Sequence, residues 1–217
     1  MWSLVRTGVA RIASSSIPSS SRVRFPSVTT LKPFPNRPLF GWLNSVFNKV
    51  DDDRVKEVGP DLAAAEWLLR CGAGVKWSGS SKLTKDYNHL PAKGTGSRIE
   101  AIDATEACVM GLGFPHLRGL EGVKEVKLVR CAYLDDEALA YLINLKHLEK
   151  LEIISCGNIT SAGLHYLKRL GQLKELNLYD LPEVPRMEML KELQEALPST
   201  KIQFDDAERS QASNHES

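Results

Sequence analysis

One nine-residue pattern recurs along the chain with a period near 25, and it constrains the fold more than any other feature. Val123-Lys-Glu-Val126-Lys-Leu128-Val-Arg-Cys131 aligns with Leu148-Glu-Lys-Leu151-Glu-Ile153-Ile-Ser-Cys156. It aligns again with Leu173-Lys-Glu-Leu176-Asn-Leu178-Tyr-Asp-Leu181. A weaker copy, Ile99-Glu-Ala-Ile102-Asp-Ala104, precedes these, and Lys201-Ile202-Gln203-Phe204 follows at about the same spacing. Side chains alternate at period two along a strand, so each copy turns one apolar face inward.

The pattern L-x-x-L-x-L-x-x-C is that of a leucine-rich repeat of the cysteine-containing subclass. After each strand comes a matched stretch, Tyr133 to Leu139 beside Asn158 to Leu164. Asp135 and Thr160 suit helix N-caps, because their oxygens accept from an orphan main-chain N–H. The following leucines, Leu139, Leu142 and Leu145 and then Leu164, Leu167 and Leu170, make a helix face that packs behind the strands. The predicted fold is therefore an α/β leucine-rich-repeat solenoid of about four repeats over residues 99–204. A single repeat cannot bury its own face and about three are needed for stability, so residues 39–98 are expected to cap the open end as a small helical domain.

The repeat also decides how the cysteines are read. Leu181 occupies the slot of Cys131 and Cys156, and leucine replaces a packing thiol but not a nucleophile or a ligand. Cys131 and Cys156 are thus expected to be structural. The four cysteines lie 23 to 37 residues apart with no C-x-x-C, so neither a zinc site nor a disulfide framework is indicated.

Phe40, Leu43, Val46, Phe47 and Val50 space an amphipathic helix. It is expected to pack on the first repeat; the other reading is an interfacial anchor with Trp42 and Phe47 at a headgroup boundary. Gly59-Pro60-Asp61 through Cys71-Gly72 forms a second helix, with proline at its start, glycine past its end and Asp61 at the positive pole. Residues 72–91 read as a connection. His89 beside Asp86 is taken as a hydrogen-bonded structural histidine rather than a catalytic dyad, and Lys93-Gly94-Thr95-Gly96-Ser97 as a linker rather than a phosphate loop.

The net charge of +1 hides a split: residues 1–50 hold seven basic side chains and no Asp or Glu. This Arg- and Ser-rich composition predicts a mitochondrial transit peptide over residues 1–38, cut after Phe25 or before Phe40. Residues 205–217 read as a polar tail. No run of about 18 apolar residues occurs, and near-neutrality argues against nucleic acid as a partner.

The stretches GWLNSVFNKVDDDRVKEVGPDLAAAEWLLRCGA, KDYNHLP, IEAIDATEACVMGLGF and LEIISCGNIT resemble the ATP synthase subunit s family. That family is also called coupling factor B, or distal membrane arm assembly component 2-like. The resemblance covers about residues 40 to 181. It implies a peripheral protein on the matrix side of the mitochondrial inner membrane, with a helical N-terminal domain and leucine-rich repeats, acting in proton-driven ATP synthesis. It implies contact with membrane-sector or stalk subunits of the ATP synthase. A relative in the same family is associated with building the membrane arm of complex I. The resemblance further implies a magnesium ion at the positions of Gly59 and Ala92. Members with a C-x-C dithiol differ from this chain, which reads Val129-Arg130-Cys131.

The functional expectation is a non-catalytic docking module. Its partner surface is the outward set of strand positions on the concave face. These are Asp103, Thr105, Glu125, Lys127, Val129, Lys150, Glu152, Ile154, Glu175, Asn177 and Tyr179, with Ile154 and Tyr179 as apolar anchors. Competing readings are a complex I assembly factor, a ubiquitin-ligase adaptor and an enzyme using Cys131 or Cys156.

Overall fold

The computed structural model describes residues 38–206. Residues 1–37 of the expected transit peptide, and the tail beyond Asp206, lie outside the described residues; Pro38 belongs to the first helix and Asp205, expected to open the tail, to the last strand.

Three helices open the described chain: α1 (Pro38–Asn48), α2 (Asp52–Val58) and α3 (Pro60–Arg70). Asp51 caps α2 by accepting from the N–H groups of Asp53 and Arg54. Gly59, at φ +89°, turns the chain from α2 into α3, and Pro60 sits at the first helical position. Arg54 grips the buried Glu66 of α3 with Nε at 3.1 Å and Nη2 at 2.5 Å, which joins the two helices. Helix α3 ends at Cys71, followed by Gly72 at φ +85°.

Strands β1 (Gly74–Trp77) and β2 (Leu83–Thr84) come next, then β3 (Ile99–Thr105), β4 (Glu125–Val129), β5 (Lys150–Ile154), β6 (Glu175–Tyr179) and β7 (Lys201–Asp205). Among the described residues they form one sheet in the order β2-β1-β3-β4-β5-β6-β7. Strands β3 to β7 are parallel, whereas β1 runs antiparallel to both β2 and β3. The stretch expected to be helical therefore also extends the sheet. Gly74-Val-Lys-Trp77 is too short to show alternation, and only its pairing with Ile99–Asp103 reveals it.

The register is constant, so equivalent repeat residues stack. Val126, Leu151, Leu176 and Ile202 make one inward row, and Leu128, Ile153, Leu178 and Phe204 make another. Helices α4 (Asp136–Ala140), α5 (Ser161–Leu167) and α6 (Arg186–Ala196) follow β4, β5 and β6. After β3 the place of a helix is taken by a 3-10 segment, Gly111–Leu117. Asp135 and Thr160 cap α4 and α5 as the sequence predicts. Of the leucines expected on helix faces, Leu139, Leu164 and Leu167 lie in α4 and α5, whereas Leu142 falls in a 3-10 turn, Tyr141–Asn144, and Leu145 and Leu170 lie beyond the helix ends; all six are at most 1% exposed. Full burial of such a leucine is worth about 1.5–3 kcal/mol, so this shared core outweighs the weak propensity of such short helices.

The residue before the cysteine slot is left-handed in every repeat: Glu106, Arg130, Ser155 and Asp180 have φ between 51° and 58°. Their N–H groups donate to the carbonyls of Val129, Ile154, Tyr179 and Asp205 at 2.7, 2.8, 2.9 and 3.1 Å. Each left-handed residue costs about 1–2 kcal/mol. In return the chain turns off the strand, and Ala107, Cys131, Cys156 and Leu181 enter the core at 0–2% exposure.

Candidate functional site

The residues facing away from the helices form three rows across the sheet. The row nearest the strand starts runs Ala101, Glu125, Lys150, Glu175, Lys201. The middle row is Asp103, Lys127, Glu152, Asn177, Gln203, and the last is Thr105, Val129, Ile154, Tyr179, Asp205. All eleven positions expected to bind a partner therefore lie together on this face.

The first two rows neutralise one another. Lys150 Nζ lies 3.2 Å from Glu152, 3.5 Å from Glu125 and 4.0 Å from Glu175. Glu152 foremost, then Glu125, holds the Lys150 amine above the ordinary lysine range. Lys127 also reaches Glu152, at 3.4 Å. Asp103 is tied back to Thr105, accepting from its N–H at 3.1 Å and its hydroxyl at 2.6 Å. In the last row Val129, Ile154 and Tyr179 stand side by side, half-buried, across three adjacent strands. Strand spacing of about 4.8 Å makes this an apolar ridge of roughly 10 Å.

Beneath the ridge the two cysteines are fully buried. Cys131 Sγ donates to the Ala104 carbonyl at 2.8 Å and Cys156 Sγ to the Leu128 carbonyl at 3.5 Å. Hydrogen bonding with Cys156 and then burial push the Cys131 thiol up. The Cys131 sulfur faces the Ala104 carbonyl, an acceptor that calls for the protonated form.

Gly59 and Ala92 lie far apart in sequence but line one cavity of about 450 Å³, with Val58, Asp61, Trp77 and Arg98 among its walls. The Lys93–Ser97 stretch, read as a linker, supplies Gly94 to Ser97 to the same wall. The Gly59 carbonyl already accepts from Ala63 N–H at 3.1 Å, and that of Ala92 from Thr95 N–H at 3.3 Å. Asp61 adds a carboxylate, bonded through Oδ1 to the Ile99 N–H at 2.8 Å. Burial raises this carboxyl above its ordinary value. Carbonyls plus one carboxylate are the hard oxygen donors magnesium takes, the rest of its shell being water. The donors fit in kind. Sequence reasoning missed Asp61 and Trp77 here, because nothing local marks a residue that meets a loop more than ten positions away.

His89 Nδ1 pairs with Asp86 Oδ2 at 2.8 Å on the surface, and Asp86 also caps its own 3-10 turn by accepting from Asn88 N–H. Helix α1 departs from its expected packing. Trp42 is 63% exposed and Val46 49%, with Leu43 and Phe47 also exposed. The helix is held instead by Asn48 at its end, which is fully buried. Asn48 Oδ1 accepts from Trp67 Nε1 at 3.1 Å and Met110 N–H at 2.9 Å, while Nδ2 donates to the Cys108 carbonyl at 3.0 Å. Among the described residues no helix is long and apolar enough to cross a membrane.

Comparison with known proteins adds a likeness to mitochondrial ATP synthase subunit s. The chain is 51% identical to the human protein of that name over 115 residues, 52% of this chain and 58% of the relative. The rat relative is 52% identical over 114 residues and the bovine one 50% over 115. The match thus spans little more than half the length of these curated relatives. No protein-family model matches the chain.

Proposed function

We propose that this chain is a non-catalytic accessory or coupling factor of the mitochondrial proton-transporting ATP synthase. It works by docking onto membrane-sector or stalk subunits at the matrix face of the inner membrane. The observation that carries the reading is the identity of about half to relatives named as subunit s. The strand–turn–helix units are leucine-rich repeats, and their open strand face is the docking surface, as in other solenoids. The Val129–Ile154–Tyr179 ridge supplies the apolar anchors, and the ion-paired rows fix register more than affinity. The exposed apolar side of α1 supports the interfacial reading of that helix, which lets a protein with no spanning helix among its described residues stay at the membrane. A magnesium ion is the cofactor the cavity would take, held by the carbonyls of Gly59 and Ala92 and the Asp61 carboxylate. Bound there, it would supply positive charge that ties the loops together, and no reaction step.

The test is native-gel separation of gently solubilised mitochondria containing tagged protein, with mass spectrometry of each band. Comigration with the ATP synthase, with coupled ATP synthesis lowered on loss of the protein and complex I intact, is the expected result. A tag on complex I intermediates lacking the distal membrane arm would replace the reading with an assembly role. A purely cytosolic tag would end both. Ile154→Lys, on the ridge, is expected to weaken the association about tenfold or more while leaving the fold intact.

A further inference from the structure

We propose that Cys71 and Cys108 are a modification site: a dithiol that exchanges with small-molecule disulfides and closes into a disulfide across the seat of α1.

The two residues are 37 positions apart, yet the Cys108 N–H donates to the Cys71 carbonyl at 2.8 Å. A main-chain bond of this kind holds two Cα atoms within the span of a disulfide. Both side chains are free thiols. They differ in access: Cys71 is 4% exposed, whereas Cys108 is only half-buried. Cys131 and Cys156 are both fully buried. Burial, with Cys108 as the next contributor, pushes the Cys71 thiol up to about 12. Reagent therefore enters at Cys108, and Cys71 resolves.

The chemistry balances with one external disulfide. The Cys108 thiolate attacks one sulfur, the reagent's S–S bond breaks, and a small thiolate leaves and takes a proton from water. Cys71 then gives its proton to water and attacks Cys108 Sγ, breaking the mixed disulfide and releasing the second small thiol. The protein pair loses two electrons and two protons, and the reagent is reduced to two thiols.

The position gives the closure a consequence. The Cys108 carbonyl is the acceptor for Asn48 Nδ2, and the Cys71 N–H bonds to the carbonyl of Trp67, whose indole N–H holds Asn48 Oδ1. A bond between the two sulfurs thus ties together the two walls between which Asn48 anchors α1.

The experiment uses the full chain under native conditions with oxidised glutathione, quenched in acid, alkylated after unfolding and digested without reduction for mass spectrometry. The expected product is a peptide joining Cys71 to Cys108, lighter by two hydrogens, with Cys131 and Cys156 recovered as alkylated thiols. In Cys71→Ala the reaction should stop at glutathione on Cys108. In Cys108→Ser, glutathione should reach Cys71 at least about tenfold more slowly, by its lower thiolate fraction and access. Closure should also slow proteolysis beside α1 several-fold. The wild-type measurement stands alone should either variant fail to fold. A mixed disulfide on Cys108 that never resolves, pairing of Cys71 with Cys131 or Cys156, or no reaction at either residue would overturn the proposal.

Discussion

Asn48→Ala tests how α1 is attached. The wild-type amide is fully buried and serves three separate segments: the Trp67 indole of α3, the Met110 N–H and the Cys108 carbonyl. Alanine leaves all three without that partner. A stranded buried polar group costs about 1–3 kcal/mol, and water entering from the exposed side of α1 recovers part of it. The expected loss is about 3–5 kcal/mol, a large share of the roughly 5–15 kcal/mol that holds a typical domain together. With a urea m-value of about 2 kcal/mol/M, the unfolding midpoint should fall by roughly 2 M, read by circular dichroism. Limited proteolysis should show new cleavage beside Lys49, because the short α1 has little else to hold it. Val46→Ala, on the exposed face, should stay within about 0.5 kcal/mol of wild type. An Asn48→Ala midpoint unchanged within error, with no new cleavage, would refute the latch and leave the exposed helix unexplained.

Three further outcomes follow from the packing. Gly163→Ala would place a Cβ 2.3 Å from Asp136 Oδ1, the atom that accepts from Thr160 N–H across the α4–α5 junction. Thermal unfolding should show about 2–4 kcal/mol lost, and an effect below about 1 kcal/mol would mean the junction yields freely. Ser155→Gly should stabilise by about 1 kcal/mol in denaturant titration by relieving a φ of 51°, whereas loss of stability would mean that the serine makes a compensating contact. His116 is stacked on Trp67 at a centroid distance of 5.0 Å, and burial lowers its pKa from the ordinary 6.5. Below 6.5 the unfolded chain binds the proton more readily than the folded one, so stability is lost as pH falls through 6.5 toward the lowered value. His116→Phe should flatten that part of the pH–stability curve, and an unchanged slope would assign it to another group.

The sequence alone determined the repeated half of this protein. The period near 25, the alternation within each copy and the N-cap residues Asp135 and Thr160 are local signals, and the strands, caps and leucine faces follow from them. The outward positions were legible for the same reason, because side-chain direction in a strand is set by position parity. Tertiary structure decided the rest. Helix α2 and strands β1 and β2 are too short to carry a periodic signature, and β1 exists because β3 offers it an edge. Whether α1 buries its apolar side is not written in its spacing, since an amphipathic helix reads alike whether it packs or waits for a partner. Its attachment runs through one asparagine to residues about 20 and 60 positions away, and the Gly59–Ala92 cavity and the Cys71–Cys108 pair are likewise made by long-range juxtaposition. Contacts of that kind arise only when the chain closes on itself, so no local pattern announces them.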